Sequence, residues 1–144
     1  MTAWGEERFH DLVVAPPTPT GESQYFWDCA REGRLVLQRC TSCGSCQGYP
    51  RRRCARCWSA DLEWVDSSGH GRVVTHTLVH RPGQTSWQVI APYYVGLVRV
   101  DEGAVLLSHL VVDDGAAPTV GDRCQVEPTT VGEWTLPFFR LWTS

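Results

Sequence analysis

Residues 40–58, CTSCGSCQGYPRRRCARCW, decide the fold of this 144-residue chain. They contain the pattern C-x2-C twice, with a spacer of ten residues between Cys43 and Cys54. Each C-x2-C turn presents two sulfurs on one side, and two facing turns complete a tetrahedron of thiolates around one metal ion. The spacing therefore predicts a structural Zn²⁺ site whose ligands are Cys40, Cys43, Cys54 and Cys57.

Two other interpretations of these cysteines stay open. A redox dithiol would need only one C-x2-C pair, whereas an iron site of the rubredoxin type would use the same four thiolates as zinc. Four sulfur ligands leave no open coordination position, so the metal is expected to stabilise the fold and not to activate water. Cys46 is interpreted as a spare thiol, and Cys29 and Cys124 as small buried apolar residues.

An arginine cluster lies within and just before the second C-x2-C turn, at Arg51, Arg52, Arg53 and Arg56. Guanidinium groups held on a rigid turn can bind phosphate oxygens through paired N–H groups. The functional interpretation is a site for the phosphates of a nucleotide or of coenzyme A. The alternative is a solvated basic surface, or one that contacts an acidic partner.

Charge is unevenly distributed along the chain, whose net charge is −3. Residues 31–57 hold seven arginines and one acidic residue, whereas residues 58–144 hold five arginines and ten acidic residues. The acidic remainder disfavours nucleic-acid binding by the whole chain. All thirteen basic residues are arginine, which excludes a lysine Schiff base and a P-loop lysine.

No segment of the chain is typical of a membrane or secreted protein. No run approaches the roughly 20 apolar residues that a membrane-spanning helix needs. The N-terminus, MTAWGEERFHD, lacks the basic start and the apolar segment of a secretory signal. The expectation is a soluble cytoplasmic protein that makes no contact with a membrane.

Outward from the cysteines, the chain divides into three predicted parts. Residues 1–22 form an extended N-terminal arm, because their last part, APPTPTGE, is rich in proline and small polar residues. Residues 23–60 form a short helix and the zinc ribbon. Ser23 suits the N-cap of that helix, and Gly33 suits a left-handed end. Residues 61–144 form a β-barrel with a C-terminal tail.

The barrel is predicted from short β-type runs separated by Gly, Pro and Asp. Their spacing, the tight hairpin DEG at residues 101–103 and the lack of intervening helices favour a five-stranded antiparallel Greek-key barrel such as the OB-fold. The fold class is therefore mainly β.

The loop RPGQTSWQVIA, with Trp87, is a candidate rim for ligand or partner contact. The C-terminal run TLPFFRLWTS either completes the barrel or contacts a partner. The runs are LEWVD, GRVVTHTLVHR, PYYVGLVRVD, AVLLSHLVV, DRCQVEPTT and LPFFRLW.

No local signature of a catalytic site is present, and no catalytic residue is predicted. The chain contains no G-x-S-x-G, no G-x-G-x-x-G and no Walker motif. His76 and His80 would lie roughly 13 Å apart on one strand, too far to share a metal. His109 follows Ser108, but no acid is placed by the sequence to orient its imidazole. The three histidines are interpreted as strand-face or core residues.

Residues 25–82, 91–111 (APYYVGLVRVDEGAVLLSHLV) and 120–127 (VGDRCQVE) together resemble the DUF35 family of acyl-CoA-associated proteins. The resemblance runs from Tyr25 to the end of the chain. It implies a short helical lead, a rubredoxin-like zinc ribbon with the four cysteine ligands given above, and a C-terminal OB-fold. Trp58 departs from the family's pattern, in which the second turn usually has Gly. The segment CQGYPRR, residues 46–52, leads into the second turn, where family members usually have an aromatic residue and two prolines.

The resemblance also implies a function and a set of partners. It implies an accessory, non-catalytic subunit that docks on a thiolase-superfamily enzyme and helps to bind acyl-CoA. Acyl transfer, thiolysis and retro-aldol cleavage are the reactions implied, with steroid side-chain CoA esters among the substrates. The resemblance also implies an enoyl-CoA hydratase as a partner. The competing hypothesis is a single-stranded nucleic-acid binder, since OB-folds and zinc ribbons both serve that role, but the ten acidic residues of the predicted barrel oppose it.

Overall fold

The computed structural model of the chain describes Phe9, Leu12, residues 15–113 and residues 115–142. The elements within these residues, in chain order, are α1 (Gln24–Arg31), β1 (Val36–Cys40), β2 (Cys46–Gln47), β3 (Leu62–Asp66), β4 (His70–Val79), the 3-10 helix η1 (Thr85–Val89), β5 (Tyr93–Val100), β6 (Val105–Val111), β7 (Arg123–Val131) and β8 (Trp134–Leu141). In this described part, no helix combines the length and the apolar character needed to cross a membrane.

Helix α1 begins and ends as the sequence predicts. Ser23 is the N-cap residue, although its Oγ accepts the N–H of Thr20 at 2.8 Å and caps no helix N–H. Gly33 has a φ of 82°, and Arg34 donates its N–H to the carbonyl of Cys29 at 2.9 Å. This left-handed ending is the Schellman arrangement that glycine favours. Phe26, Cys29 and Ala30 of the helix are buried.

The cysteine segment folds onto a three-stranded antiparallel sheet, in the order β2-β1-β3. Strand β3 was predicted among the barrel strands, but it pairs with β1 from Val36↔Asp66 to Cys40↔Leu62. Because β1 is almost wholly buried and β2 has only two residues, β1 needs a second full-length neighbour. The domain limits 23–60 and 61–144 remain a prediction.

Strands β4 to β8 form a closed five-stranded barrel in the order β4-β5-β6-β8-β7, which confirms the predicted OB-fold barrel. The predicted hairpin between β5 and β6 is also present, since Gly103 donates its N–H to Val100 O at 2.8 Å. The expectation that all neighbouring strands are antiparallel is wrong at one pair. Strand β8 lies parallel to β6, because β7 reverses the chain between them.

The barrel is only weakly closed where β6 meets β8. The two strands pair only at Leu110↔Phe139 and Val111↔Arg140, so their preceding halves separate. Pro137 lies in this open stretch and has no N–H to donate. The Ser108 hydroxyl bridges the gap and donates to the Pro137 carbonyl at 2.9 Å. We call this open stretch, residues 105–109 of β6 and 134–138 of β8, the seam.

Two buried clusters fill the interior. The larger lies between the ribbon, α1 and the barrel, and the smaller includes Phe9, Leu12 and residues of the barrel end. Phe138, Phe139 and Leu141 of β8 are all buried, so the aromatic C-terminal run completes the barrel. Residues 15–20 have no regular structure, and the rest of the predicted arm up to residue 14, apart from Phe9 and Leu12, lies outside the described residues.

Candidate metal centre and apolar cavity

The two C-x2-C turns have the same backbone geometry. Gly44 donates its N–H to the carbonyl of Cys40 at 2.8 Å, and Trp58 donates its N–H to the carbonyl of Cys54 at 2.9 Å. Gly44 and Trp58 both take the left-handed conformation, with φ of 80° and 66°. Trp58 therefore adopts a backbone conformation that bulky residues rarely take. Each turn directs two sulfurs toward the other.

The four predicted metal ligands lie together in the folded chain. Cys40 Sγ is 3.5 Å from Cys57 Sγ, and Cys43 Sγ is 3.6 Å from Cys54 Sγ. All four sulfurs lie within 4.8 Å of one another. A tetrahedron with bonds of about 2.3 Å from zinc to sulfur has sulfurs roughly 3.8 Å apart, so the geometry fits one such ion. Cys46 is half-buried on β2 and lies outside this group.

Hydrogen bonds to Cys43 and Cys54 favour the thiolate form that a metal needs, whereas the neighbouring sulfurs raise the pKa of Cys57. The Ser45 hydroxyl lies 3.1 Å from Cys43 Sγ and 3.4 Å from Cys54 Sγ. Together with the N–H groups of Cys57 and Arg56, it lowers the pKa of Cys54 to about 6. The same hydroxyl is the largest cause that lowers the pKa of Cys43. Donors to sulfur lower its pKa because they stabilise the negative charge.

The four arginines of the cluster are all exposed, and no hydrogen bond or ion pair among the described residues joins them into one site. The Arg52 guanidinium is paired with the Glu22 carboxylate, which holds the pKa of Glu22 at about 2. Arg53 donates to the carbonyl of Trp58 at 3.1 Å. Arg56 lines a separate shallow cleft beside Glu102. Binding of phosphate by this cluster remains a prediction.

A cavity of about 580 Å³ opens at the seam, between the barrel, α1 and the ribbon. Sequence reasoning missed this cavity, because its walls come from segments that are distant along the chain. Only the loop with Trp87 was marked as a candidate rim, and the half-buried Trp87 does line the cavity. The walls include residues 26–27, 48–50, 106–109 and 136–138, together with Trp87.

His109 lies in the wall of the cavity within an aromatic cluster. Its ring stacks on Tyr93 at 4.4 Å and on Phe138 at 4.5 Å, with Phe9 and Trp87 at 5.5 Å and 5.1 Å. The side chain is 8% exposed, and this desolvation lowers its pKa to about 4. The imidazole is therefore neutral at pH 7, and the interpretation of His109 as a core histidine is confirmed.

Ser108 and His109 do not form a nucleophile and base pair. The Ser108 hydroxyl donates to backbone carbonyls, of Pro137 at 2.9 Å and of His109 at 3.0 Å. Nε2 of His109 is buried, and no group among the described residues hydrogen-bonds to it. His76 is half-buried on β4 and His80 is exposed just after it. Within the described part of the chain, neither belongs to a group of possible metal ligands.

Comparison with family models gives two adjacent matches on the chain. Residues 27–63 match the ChsH2 rubredoxin-like zinc ribbon domain. Residues 64–128 match the ChsH2 C-terminal OB-fold domain. The first match contains all four cysteines of the metal centre. The second contains the barrel strands from β4 to most of β7.

Curated relatives include both short and long proteins. A DUF35 domain-containing scaffold protein of Pyrococcus furiosus is 32% identical over 112 residues, which are 78% of this chain and 79% of the relative. A probable enoyl-CoA hydratase alpha subunit of Thermomonospora curvata is 31% identical over 131 residues, 86% of this chain and 39% of the relative. The 3-oxo-4,17-pregnadiene-20-carboxyl-CoA hydratase alpha subunit of Mycobacterium tuberculosis is 27% identical over 120 residues, 83% of this chain and 38% of the relative. This chain thus spans about two fifths of the length of these hydratase subunits.

A solved structure provides the comparison in three dimensions. A chain of the Ltp2-ChsH2(DUF35) aldolase is 29% identical to this chain and superposes with a TM-score of 0.74. The match covers 88% of this chain and 98% of that chain. The likeness therefore includes both the ribbon and the barrel.

Proposed function

Since the chain belongs to the DUF35/ChsH2 family, which joins a rubredoxin-like zinc ribbon to a C-terminal OB-fold domain, we propose that it is a zinc-binding accessory subunit of an acyl-CoA-processing enzyme. In this proposal the subunit docks on a thiolase-like enzyme and helps to bind the acyl-CoA substrate. The assembled enzyme would perform acyl transfer, thiolysis or retro-aldol cleavage. Steroid side-chain CoA esters are one proposed substrate class.

One observation carries this proposal. The chain is similar, over 88% of its own length and 98% of the other, to a chain of the Ltp2-ChsH2(DUF35) aldolase. Two further relatives are named as alpha subunits of hydratases, which also supports a role inside an assembly. An enoyl-CoA hydratase is therefore the second proposed type of partner.

The proposed metal is Zn²⁺, bound by Cys40, Cys43, Cys54 and Cys57. A zinc ion with four thiolate ligands has no free position for a substrate or a water molecule. Within the proposal, zinc stabilises the ribbon and takes no part in the reaction. Through the four cysteines, zinc would hold the two C-x2-C turns and the arginines beside them in place.

The subunit's role is tested by reconstitution with a thiolase-superfamily protein of the same organism. The two proteins are expressed together, purified through a tag on one of them, and passed over a size-exclusion column. We expect one stable complex, and we expect the partner's turnover of acyl-CoA to fall sharply when this subunit is omitted. Full activity of the partner alone would overturn the proposal.

The arginine cluster has its own test within that complex. We propose that Arg51, Arg52, Arg53 and Arg56 contact the phosphates of the CoA ester, because exposed guanidinium groups are well suited to phosphate. The double variant Arg52→Ala/Arg53→Ala should weaken CoA-ester binding at least about tenfold, since two charge-assisted contacts are lost. The matched control is Arg81→Ala/Arg99→Ala, which removes the same charge elsewhere on the surface. Equal affinities of the two double variants would support a solvated basic surface instead.

A further inference from the structure

A second cleft lies on the outer surface of the barrel, at the end where β4 and β7 begin and β5 and β8 stop. Its volume is about 300 Å³, at the lower end of the range of roughly 300–1,000 Å³ that is typical of small-molecule sites. We call it the outer cleft. The side chains that line it include Arg72, Arg123 and Trp142, together with His70 and Asp101. None of them belongs to the metal centre or to the arginine cluster of the ribbon.

Strand register places the two arginines of the outer cleft side by side. Arg72 of β4 pairs directly with Arg123 of β7, and residues that pair in this way point to the same face of a sheet. Trp142 directly follows β8 and donates its N–H to the carbonyl of Arg123 at 3.0 Å. Neighbouring strands are about 4.8 Å apart, so an aromatic side chain and two cationic side chains follow one another across the surface.

The charges of these two arginines are not compensated within the folded chain. Neither Arg72 nor Arg123 forms an ion pair among the described residues, and Arg72 donates only to the carbonyl of Gly121, at 3.1 Å. Like charges that lie directly opposite each other destabilise a sheet. An anionic ligand bound between the two guanidinium groups would remove this repulsion, so the cleft favours an anion. Four other arginines each pair with a carboxylate: Arg34, Arg39, Arg52 and Arg140.

Two acidic residues lie near this arginine pair, and neither forms an ion pair with it among the described residues. Asp122 accepts the N–H of Thr119 at 2.8 Å. Asp101 lines the cleft beside His70, whose carbonyl accepts the Asp101 N–H at 2.9 Å. The Asp101 carboxylate repels an anion but accepts hydrogen bonds from hydroxyl groups. A ligand that carries hydroxyl groups beside its anionic part therefore suits the cleft better than an inorganic anion does.

The aromatic side of the outer cleft is formed by Trp142. Its side chain is 45% exposed, and its ring meets the His70 ring edge to face at a centroid distance of 5.7 Å. An exposed indole beside cationic side chains is a typical platform for stacking of a nucleic-acid base. The cleft thus offers a ring, two guanidinium groups and a carboxylate, which suit the base, the phosphates and the sugar hydroxyls of a nucleotide.

We propose that the outer cleft binds a nucleotide with at least two phosphates. Arg72 and Arg123 bind the phosphates, the base stacks on Trp142, and Asp101 accepts a sugar hydroxyl. This chemistry is shared by a free nucleoside diphosphate and by the nucleotide half of coenzyme A. The inference goes beyond the proposed function, because the cleft is complete in the isolated chain and uses other arginines than the ribbon does. Docking on a partner enzyme and binding in this cleft can therefore fail independently.

The test uses three probes: ADP, coenzyme A and inorganic pyrophosphate. Each is titrated at pH 7 into the zinc-loaded chain, and binding is followed in ¹H–¹⁵N spectra. We expect the indole N–H signal of Trp142 to shift with ADP. The signal of Trp58, whose carbonyl accepts a bond from Arg53, reports on the arginine cluster of the ribbon and should not shift with ADP. An equal shift of Trp142 with coenzyme A identifies its nucleotide half as a source of the ligand, whereas a shift with ADP alone identifies a free nucleotide.

Two variants separate the contact with phosphate from the contact with the base. Arg123→Ala should weaken both ADP and pyrophosphate at least about tenfold, since a charge-assisted contact is lost. The matched control Arg81→Ala removes one exposed arginine outside the cleft and should leave both affinities unchanged. Trp142→Leu keeps an apolar side chain but removes the ring, so it should weaken ADP about tenfold and leave pyrophosphate unchanged. Retained dispersion of the amide spectrum shows that each variant is folded.

Three results would overturn the inference. The first is a titration with ADP in which the Trp142 signal does not move, including one in which only the Trp58 signal moves. The second is the same affinity for ADP in Arg123→Ala and Arg81→Ala, which would leave the arginine pair without a role. The third is binding of pyrophosphate to the wild type as tight as that of ADP, which would contradict the stacking of a base on Trp142.

Discussion

The N–H of Leu107 donates a 2.9 Å hydrogen bond to the hydroxyl of Tyr49, and this bond joins strand β6 of the barrel to the ribbon. In a fully paired barrel, the open edge of β6 would face β8 at this position. Here the seam is open and a tyrosine side chain takes the place of the missing strand. A second tie lies at the β5–β6 hairpin, where Glu102 accepts bonds from Ser67 and Ser68 at 2.8 Å each. These two ties position the ribbon on the barrel.

Replacement of Tyr49 by Phe should loosen the contact between ribbon and barrel. The change removes the acceptor of the Leu107 N–H, and a lost hydrogen bond of this kind costs about 1 kcal/mol in the free energy of unfolding. We expect faster hydrogen exchange at the Leu107 amide and a lower melting temperature. The control is Tyr94→Phe, since no hydrogen bond of the Tyr94 hydroxyl is observed among the described residues. Unchanged protection of the Leu107 amide would contradict the role given to Tyr49.

Loss of one zinc ligand should unfold the ribbon, whereas loss of the neighbouring cysteine should not. Cys54→Ser removes one of four converging sulfurs, and the free energy of structural zinc binding is on the order of 10 kcal/mol. Cys46→Ser changes a thiol of the same segment that lies outside the site. Metal analysis should give one zinc per chain for the wild type and for Cys46→Ser, but much less for Cys54→Ser. Iron in place of zinc in that analysis would decide between the two metals.

Local patterns were sufficient to predict most elements of the fold and the four cysteines whose sulfurs converge. The C-x2-C spacing fixed the four cysteines, and Gly33 marked the end of α1. Alternating β-type runs located β4 to β8. These signals are local because each depends on residues that are neighbours along the chain.

Pairing between strands could not be predicted in the same way. The run LEWVD has the same pattern whether it joins the barrel or the ribbon, and its partner is fixed by the need of β1 for a second neighbour. The cavity is less predictable still, because His109 meets Tyr93, Phe138 and Trp87 only after the barrel has closed. The sequence around a histidine on a buried strand does not indicate which aromatic side chains will contact it in the folded protein.

Trp58 is expected to destabilise the ribbon slightly. It holds a φ of 66° in the second C-x2-C turn, where the equivalent residue of the first turn is Gly44. A left-handed conformation costs residues other than glycine about 1–2 kcal/mol, and Trp58 is 73% exposed, so little packing offsets that cost. Trp58→Gly should therefore raise the melting temperature of the zinc-loaded protein. Trp58→Ala keeps the Cβ atom and should give no such gain, so equal melting temperatures for the two variants would refute the explanation.

The neutral state of His109 makes the stability of the barrel sensitive to acid. Burial lowers the pKa of this histidine from 6.5 to about 4 in the folded chain, so between these values the unfolded chain binds more protons. The contribution of neutral His109 is complete above pH 6.5 and is lost as the pH falls toward 4, by about 3 kcal/mol in total.

The free energy of unfolding is measured with urea at pH 7, 6 and 5 for the wild type, His109→Phe and the exposed control His80→Phe. Release of zinc and titration of carboxylates affect all three proteins alike, so the difference between variants isolates the histidine. We expect the stability of His109→Phe relative to the wild type to increase as the pH falls, while that of His80→Phe shows no such rise. A difference that does not change with pH would mean that His109 is already protonated, or well solvated, in the folded chain.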